Sequence, residues 1–314
     1  MLSPRLSGGK QNHVRVRICV IFNPAARGNK ARHFRRHCVE HARQCEFKAT
    51  SAPGEARHLA CEAVINGFET IVAAGGDGTV NEVLNGLSDA PDGFQRARLA
   101  VLPLGTINVL ARELRIPLQI DAAWRVVSSG REIQIDLGRA DYFEEGRSQR
   151  RFFVQLGGAG LDARAIELLS WQLKKQAGPT AYVVAGLQAL MEKQPQITVR
   201  AGNKALTGEL ALLGNGKFYG GAFHVFPEAT LDDGRLHACV FPRMNLWALL
   251  RLIPGFLLRK RFPEAMIGRL LGDKLEITSN LRAGFELDGE RIGNLPATFS
   301  VDRQRLRVVV PECP

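Results

Sequence analysis

From Val14 to about residue 135 the chain repeats one pattern: a short apolar, β-branched run, a turn containing glycine, then apolar positions spaced as on one face of a helix. "VRVRICVIF" runs into "NPAARG", "TIVAA" into "GGDG", and "LAVLP" into "LGT". Strands alternating with helices at this spacing predict an α/β domain with a parallel sheet covered on both faces. In the helix after "TIVAA", Val80, Val83, Leu84 and Leu87 share one face, with Thr79 expected as N-cap and Glu82 closing a T-x-x-E capping box. "LPLGTINVLAREL" repeats the device: Gly105 turns, Thr106 is expected to cap, and Ile107, Leu110, Ala111 and Leu114 form the apolar face.

Beyond "REIQIDLGRAD" the period changes. A polar loop, "YFEEGRSQR", precedes "RFFVQLGGAGLDA", a helical stretch from Ile166 to about Met191, and alternating segments in which "AGNK" reads as a hairpin turn. The pattern predicts a short flexible tail over 1–13, an α/β domain over 14–138 and a β-rich domain over 139–314, with the passage between them near Asp136 to Asp141.

Composition narrows the partners. A net charge of +11 over 314 residues favours an anionic one: nucleotide, nucleic acid or membrane surface. No aromatic-interleaved basic surface supports nucleic acid, and none is expected as a partner. The six cysteines form no CxxC pair and no zinc-type spacing, so scattered thiols in a reducing compartment are expected. The first residues lack the apolar stretch of a signal peptide, and Arg251 and Pro254 interrupt the longest apolar run. A cytoplasmic protein is expected, peripheral at most at the inner membrane surface.

The glycine turns carry the chemistry. A helix opening at the carboxyl end of a parallel strand points free N–H groups and a positive dipole end at an anion. Gly75, Gly76 and Gly78 carry no Cβ, so backbone can turn sharply and approach a phosphate. Asn81 and Asn108 stand in the first turns of the two helices. Asp77 would repel phosphate unless a divalent cation intervenes or the carboxylate is a base. No Walker A pattern is present, because Phe218 follows Lys217 of "GNGKF". "GGAGLDA" fits G-x-G-x-x-A but lacks the later acid of a dinucleotide site.

Taken in order, "FNPAARG", "TSAPGEA", "GGDGTVNEVLNGL", "LPLGTINVLAREL", "IQIDLGRAD", "PEATLDDGRL" and "ELDGE" resemble the diacylglycerol kinase catalytic family, which includes sphingosine kinases and bacterial lipid kinases. "GGDGT" alone is shared with NAD kinases and, with serine, with phosphofructokinases. The resemblance implies an NAD kinase/phosphofructokinase-like α/β domain, a C-terminal β-sandwich, and transfer of the γ-phosphoryl group of ATP to a lipid hydroxyl with Mg2+. It implies that Asn23, Pro24, Thr50, Gly76 through Glu82 (Gly76, Asp77, Gly78, Thr79, Val80, Asn81, Glu82) and Thr106 line the nucleotide site, with one of Arg27 and Gly28 touching phosphate. Asp288 matches a general base with Glu290 beside it, and Asp77 has that role in sphingosine-type relatives. Asp233, with the backbone of Thr230 and Arg235, matches a loop holding magnesium. Asp136 matches a polar network between nucleotide and acceptor sites.

Two departures stand out: Val109 and Leu110 replace the usual aspartate and phenylalanine after "LGTxN", and "NPAARG" replaces "NPxSG". An NAD kinase-like enzyme and a nucleotide-sensing surface protein without turnover are the rival readings. Residues 245–272 carry Arg251, Arg259, Lys260, Arg261 and Arg269 against Glu264. At roughly 1 kcal/mol per charge near an anionic leaflet, such a segment permits transient visits to phospholipid headgroups. Packing of that segment on the β domain is the competing expectation. The acceptor lipid stays open, and a homodimer is compatible with the sequence.

Overall fold

A computed structural model describes residues 17–25, 34, 45–168, 180–221, 223–254 and 262–312. The first lobe contains β1 (Ile18–Phe22), β2 (Cys45–Ala49), α1 (Glu55–Ile65), β3 (Thr70–Gly75), α2 (Asp77–Asp89), α3 (Gly93–Arg96), β4 (Arg98–Pro103), α4 (Val109–Glu113) and α5 (Ile120–Ser129). Its strands lie parallel in the order β2-β1-β3-β4. Every residue of β3 is buried, as a parallel strand covered on both faces requires.

Two long strands join the lobes. β5 (Arg131–Glu144) leaves the first lobe as one unbroken strand, so Asp136 and Asp141 lie within it. The expected polar loop after it is a tight hairpin: Glu144 pairs with Arg147 of β6 (Arg147–Phe153) across Glu145 and Gly146, both with positive φ. That backbone is the type I′ geometry matched to strand twist.

The second lobe comprises β7 (Leu156–Gly160), α6 (Leu161–Leu168), α7 (Thr180–Leu190), β8 (Ile197–Ala201), β9 (Lys204–Gly208), β10 (Leu210–Gly214), the short strands β11 (Phe218–Tyr219) and β12 (Phe223–His224), β13 (Leu236–Phe241), α8 (Leu246–Pro254), β14 (Gly268–Gly272), β15 (Lys274–Ser279), β16 (Gly284–Leu287) and β17 (Glu290–Asn294). The helical stretch expected to begin at Ile166 opens earlier, at Leu161, and residues 169–179 lie outside the described residues. An antiparallel sheet, β14-β13-β10-β7-β16-β17, faces a second layer containing β8, β9 and β15. Phe153, Val199, Leu213, Leu275, Phe285 and Phe299 fill the space between them. A parallel α/β lobe and a C-terminal β-sandwich are therefore the architecture. The G-x-G-x-x-A stretch supplies the central antiparallel strand β7, which excludes a dinucleotide fold around it.

The last strand, β18 (Ala297–Val310), runs back along β5 from Ala297–Tyr142 to Val310–Arg131. Its final residues enter the first lobe, where Val308 pairs in parallel with Leu99 of β4. Leu306, Val308, Val309 and Val310 belong to the same core as Ile21, Ile71, Leu84 and Leu99. Leu306 is fully buried there. Leu306→Ala is expected to cost about 2–5 kcal/mol in urea unfolding; a loss under about 0.5 kcal/mol would contradict this packing.

Candidate active site

The two glycine turns stand at the carboxyl ends of neighbouring strands β3 and β4 and touch. Leu104 and Gly105 both donate backbone N–H to Gly75 O, at 2.9 and 3.2 Å. A Cβ on Gly105 would stand 2.5 Å from Gly76 Cα, and one on Gly76 would stand 3.3 Å from Gly105 Cα. Backbone bars a side chain at 105, and one at 76 would push the turns apart by a few tenths of an ångström. A Cβ on Gly75 would run into Thr79.

Asp77 fastens the contact. It is the first residue of α2, and its Oδ2 and Oδ1 accept N–H groups from Asn108 and Val109 at 3.0 and 2.7 Å. The carboxylate from one turn thus caps the helix opened by the other, α4. Burial pushes its carboxyl up, the Val109 N–H opposes that, and the Asp288 charge raises it further. The two expected threonine caps are not formed. Gly76 and Asn108 occupy the N-cap positions, with Asn108 binding back to Gly105 through Oδ1 (3.0 Å) and Nδ2 (2.8 Å). Glu82 instead accepts N–H groups from Gly54 (2.9 Å) and Ala56 (3.0 Å), capping α1. Asn23 Nδ2 meets Thr79 Oγ1 at 3.3 Å, which joins the "NP" turn to the first glycine turn. Thr50 donates its backbone N–H to Phe22 O at 2.9 Å beside them. Thr106 is exposed, Val80 lies in the first core, and Arg27 and Gly28 fall outside the described residues.

The second lobe closes over this rim through an Asp-Gly hairpin turn. Asp288 and Gly289 connect β16 to β17 with φ of 48° and 85°. The turn has the ordinary hairpin backbone, yet its aspartate faces inward. Asp288 Oδ1 accepts N–H from Gln155 (3.0 Å) and Leu156 (3.1 Å), and Oδ2 accepts from Val154 (3.0 Å) and Asn81 Nδ2 (2.9 Å). Burial raises its carboxyl above 3.8, against the pull of these donors. Glu290 is different: its side chain is 35% exposed, and its Oε1 would stand 2.9 Å from a Cβ on Gly78. Arg151 Nη2 lies 3.2 Å from Asn81 Oδ1 and 3.5 Å from Glu290 Oε2.

Asp136 is 2% exposed and accepts N–H from Gly234 (2.7 Å) and Gln304 (2.6 Å). Asn215 Nδ2 bridges Asp136 O and Val154 O, so a polar chain runs from Asp136 through Asn215 and Val154 to Asp288. In the neighbouring loop Asp233 accepts N–H from Thr230 (3.2 Å) and Arg235 (2.9 Å) and meets His237 Nε2 at 2.9 Å. Among the described residues no three His, Cys, Asp or Glu side chains gather to hold a metal. One carboxylate with main-chain oxygens fits a magnesium ion that keeps most of its water, but not a closed protein cage.

Several participants carry no pattern that the sequence reading used. Asn85 grips both backbone groups of Phe152 at 2.9 and 3.0 Å, and "NEVLN" places it four residues after Asn81 on one helix face. Glu286, buried, and Asp162, half-buried, lie together beside Gly158, with the Tyr219 hydroxyl donating to Asp162. Burial and the neighbouring Asp162 charge hold Glu286 well above 4.5. The thiols of Cys19 and Cys239 are pushed up to about 12 by burial, which leaves them inert.

Residues 17–140 match the family described as diacylglycerol kinase catalytic domain, and 157–310 match the YegS C-terminal NAD kinase beta sandwich-like domain. The chain is similar to a protein named diacylglycerol kinase of Bacillus subtilis, 29% identical over 94% of this chain and 97% of that one. One of the same name from Staphylococcus carnosus is 28% identical over 95% and 96%. A solved structure of a diacylglycerol kinase from Bacillus anthracis superposes with a TM-score of 0.68 at 19% identity, covering 94% and 97% of the two chains, which is a likeness of fold.

Gly105→Ala is expected to destabilise the protein by about 1–3 kcal/mol in a denaturant titration and to separate the turns; unchanged stability would show that the contact is loose. The buried carboxyl of Glu286 keeps its proton in the folded chain after the unfolded chain has lost it. That group's stabilisation is complete below its ordinary value of 4.5 and is lost as the pH rises through the folded value. Glu286→Gln keeps a donor for Asp162 and an acceptor for Gly289. It should flatten the fall in stability as the pH rises above 4.5, measured by urea unfolding at stepped pH; an unaltered profile would mean that Glu286 does not titrate in the folded chain.

Proposed function

The chain belongs to the diacylglycerol kinase catalytic family and is an ATP-dependent lipid kinase on that ground, and from this premise we propose how its residues divide the work. One observation carries the reading: two helix openings locked together by Gly76, Gly105 and Asp77, with Glu290 of the other lobe over Gly78. The triphosphate lies across these openings, where main-chain N–H groups and the positive helix ends favour it, flanked by Asn23, Pro24, Thr50 and Thr79. The oxygen of a lipid hydroxyl attacks the γ-phosphorus, the bond from that phosphorus to the β–γ bridging oxygen breaks, and ADP leaves with the electron pair.

Of the three candidate carboxylates, Glu290 is the one with a half-exposed side chain facing Gly78, and it takes the hydroxyl proton. Asp77 and Asp288 are occupied by two and four donors and hold the site in shape. Asp136 connects the Asp233 loop to that frame. Magnesium, as the nucleotide's counter-ion or held at Asp233 with the main chain of Thr230 and Arg235, supplies charge neutralisation.

The lipid is a neutral hydroxylated glyceride of the diacylglycerol type, met at a membrane surface. Support comes from α8, where Leu246, Trp247 and Leu250 are 57%, 75% and 47% exposed beside Arg251. An apolar face of this kind, with cationic neighbours, suits the interface of an anionic leaflet. Arg259, Lys260 and Arg261 lie outside the described residues. No described helix is long and apolar enough to cross a membrane.

γ-Labelled ATP with magnesium and mixed vesicles should label diacylglycerol; exclusive labelling of NAD would reject this reading. Glu290→Gln should lower kcat by about 10²–10⁴-fold while ATP affinity holds. Turnover at the wild-type level in that variant would remove Glu290 from the proton-accepting role.

A further inference from the structure

Asp77, Glu82, Asp288 and Glu290 all stand at or next to the paired helix openings, where the proposed substrate is a polyanion. Something must balance that charge beside the transferred group. Arg151 comes from β6 and reaches Asn81 of α2. Its side chain is 14% exposed, and its nearest ion-pair contact, to Glu290, is long at 3.5 Å. Its Nε is buried without a hydrogen-bond partner. Nη2 reaches Asn81 Oδ1 at 3.2 Å, one helical turn from the opening of α2, and Glu290 links that point to Gly78. Burial and the nearby charge of Arg57 press the Arg151 charge downward, and Glu290, Tyr142 and Glu82 return part of it. A guanidinium with five donors is seldom left so poorly matched unless an acceptor arrives from outside.

We infer that Arg151 is the cation that receives the γ-phosphoryl group of ATP and follows it during transfer. The inference rests on the kinase reading above. As the phosphorus leaves the bridging oxygen of ADP for the lipid oxygen, its non-bridging oxygens keep their negative charge, and the guanidinium fork supplies planar donors to them. In the same step Arg151 exchanges its long contact with Glu290 for phosphoryl oxygens, which frees that carboxylate to take the hydroxyl proton. The residue therefore discriminates ATP from ADP at the end of the polyphosphate.

Arg151→Met and Arg151→Lys, checked by thermal unfolding, test this in the full chain. For the Met variant, kcat should fall about 10²–10³-fold. ADP should bind as to the wild type, while a non-hydrolysable ATP analogue should lose at least about tenfold in affinity. Lys should recover part of the loss, since it restores charge without the fork. Equal loss of ADP and the analogue would mark a merely structural role, and unchanged kcat with unchanged analogue affinity would overturn the inference. Should the Met variant unfold, the Lys variant decides: wild-type kcat and wild-type preference for the analogue in its presence would also overturn it. A wild-type chain that transfers phosphate to no lipid would fail the kinase reading, whereas the ADP-to-analogue comparison would still report on Arg151.

Discussion

Two glycine turns in backbone contact set the geometry of everything around them. Gly76 and Gly105 meet because neither has a side chain, and that contact brings two helix openings to one rim of the sheet. Asp77 converts proximity into a fixed arrangement by giving its carboxylate to the backbone of the neighbouring turn. A helix as short as α4, five residues, has little stability of its own, and a charged cap from outside compensates. The strands supply position, the glycines closeness, and the aspartate rigidity.

The second lobe is attached by the same chemistry. Asp288 gathers three consecutive backbone N–H groups and Asn81 around one buried carboxylate, so α2 of one lobe and the start of β7 in the other share a single anchor. Removing the charge there would leave donors unmet in the interior, which is costlier than the loss of one bond. The acidic residues of the site thus divide: those most buried hold backbone, and Glu290, half-exposed, faces Gly78.

Much of this was legible in the chain. Strand runs and glycine turns located the sheet rim, and the ordered motifs pointed to the family, because buried parallel strands and tight turns leave local signatures. What stayed hidden depends on contacts between distant segments. Thr79 and Glu82 have the spacing of a capping box, yet Glu82 serves α1, whose opening lies 26 to 28 residues earlier. Asp77 reads as a metal or proton site because its partners, Asn108 and Val109, are 31 and 32 residues away. The inward rotation of Asp288 cannot be told from an ordinary hairpin turn by its dipeptide. Arg151 opens the run "RFFVQL" directly after a polar loop ending in Arg150, and its spacing carries no mark of a site.

The return of β18 bears on how the protein comes into being. The parallel strands of the first lobe precede β18 along the chain, so its sheet lacks the strand beside β4 until β18 has been made. Until then β4 presents an open edge, a template for unwanted pairing. Synthesis must therefore pass β18 before the sheet of the first lobe is finished, and a nascent chain stalled short of that strand carries the glycine-turn rim on an unclosed sheet.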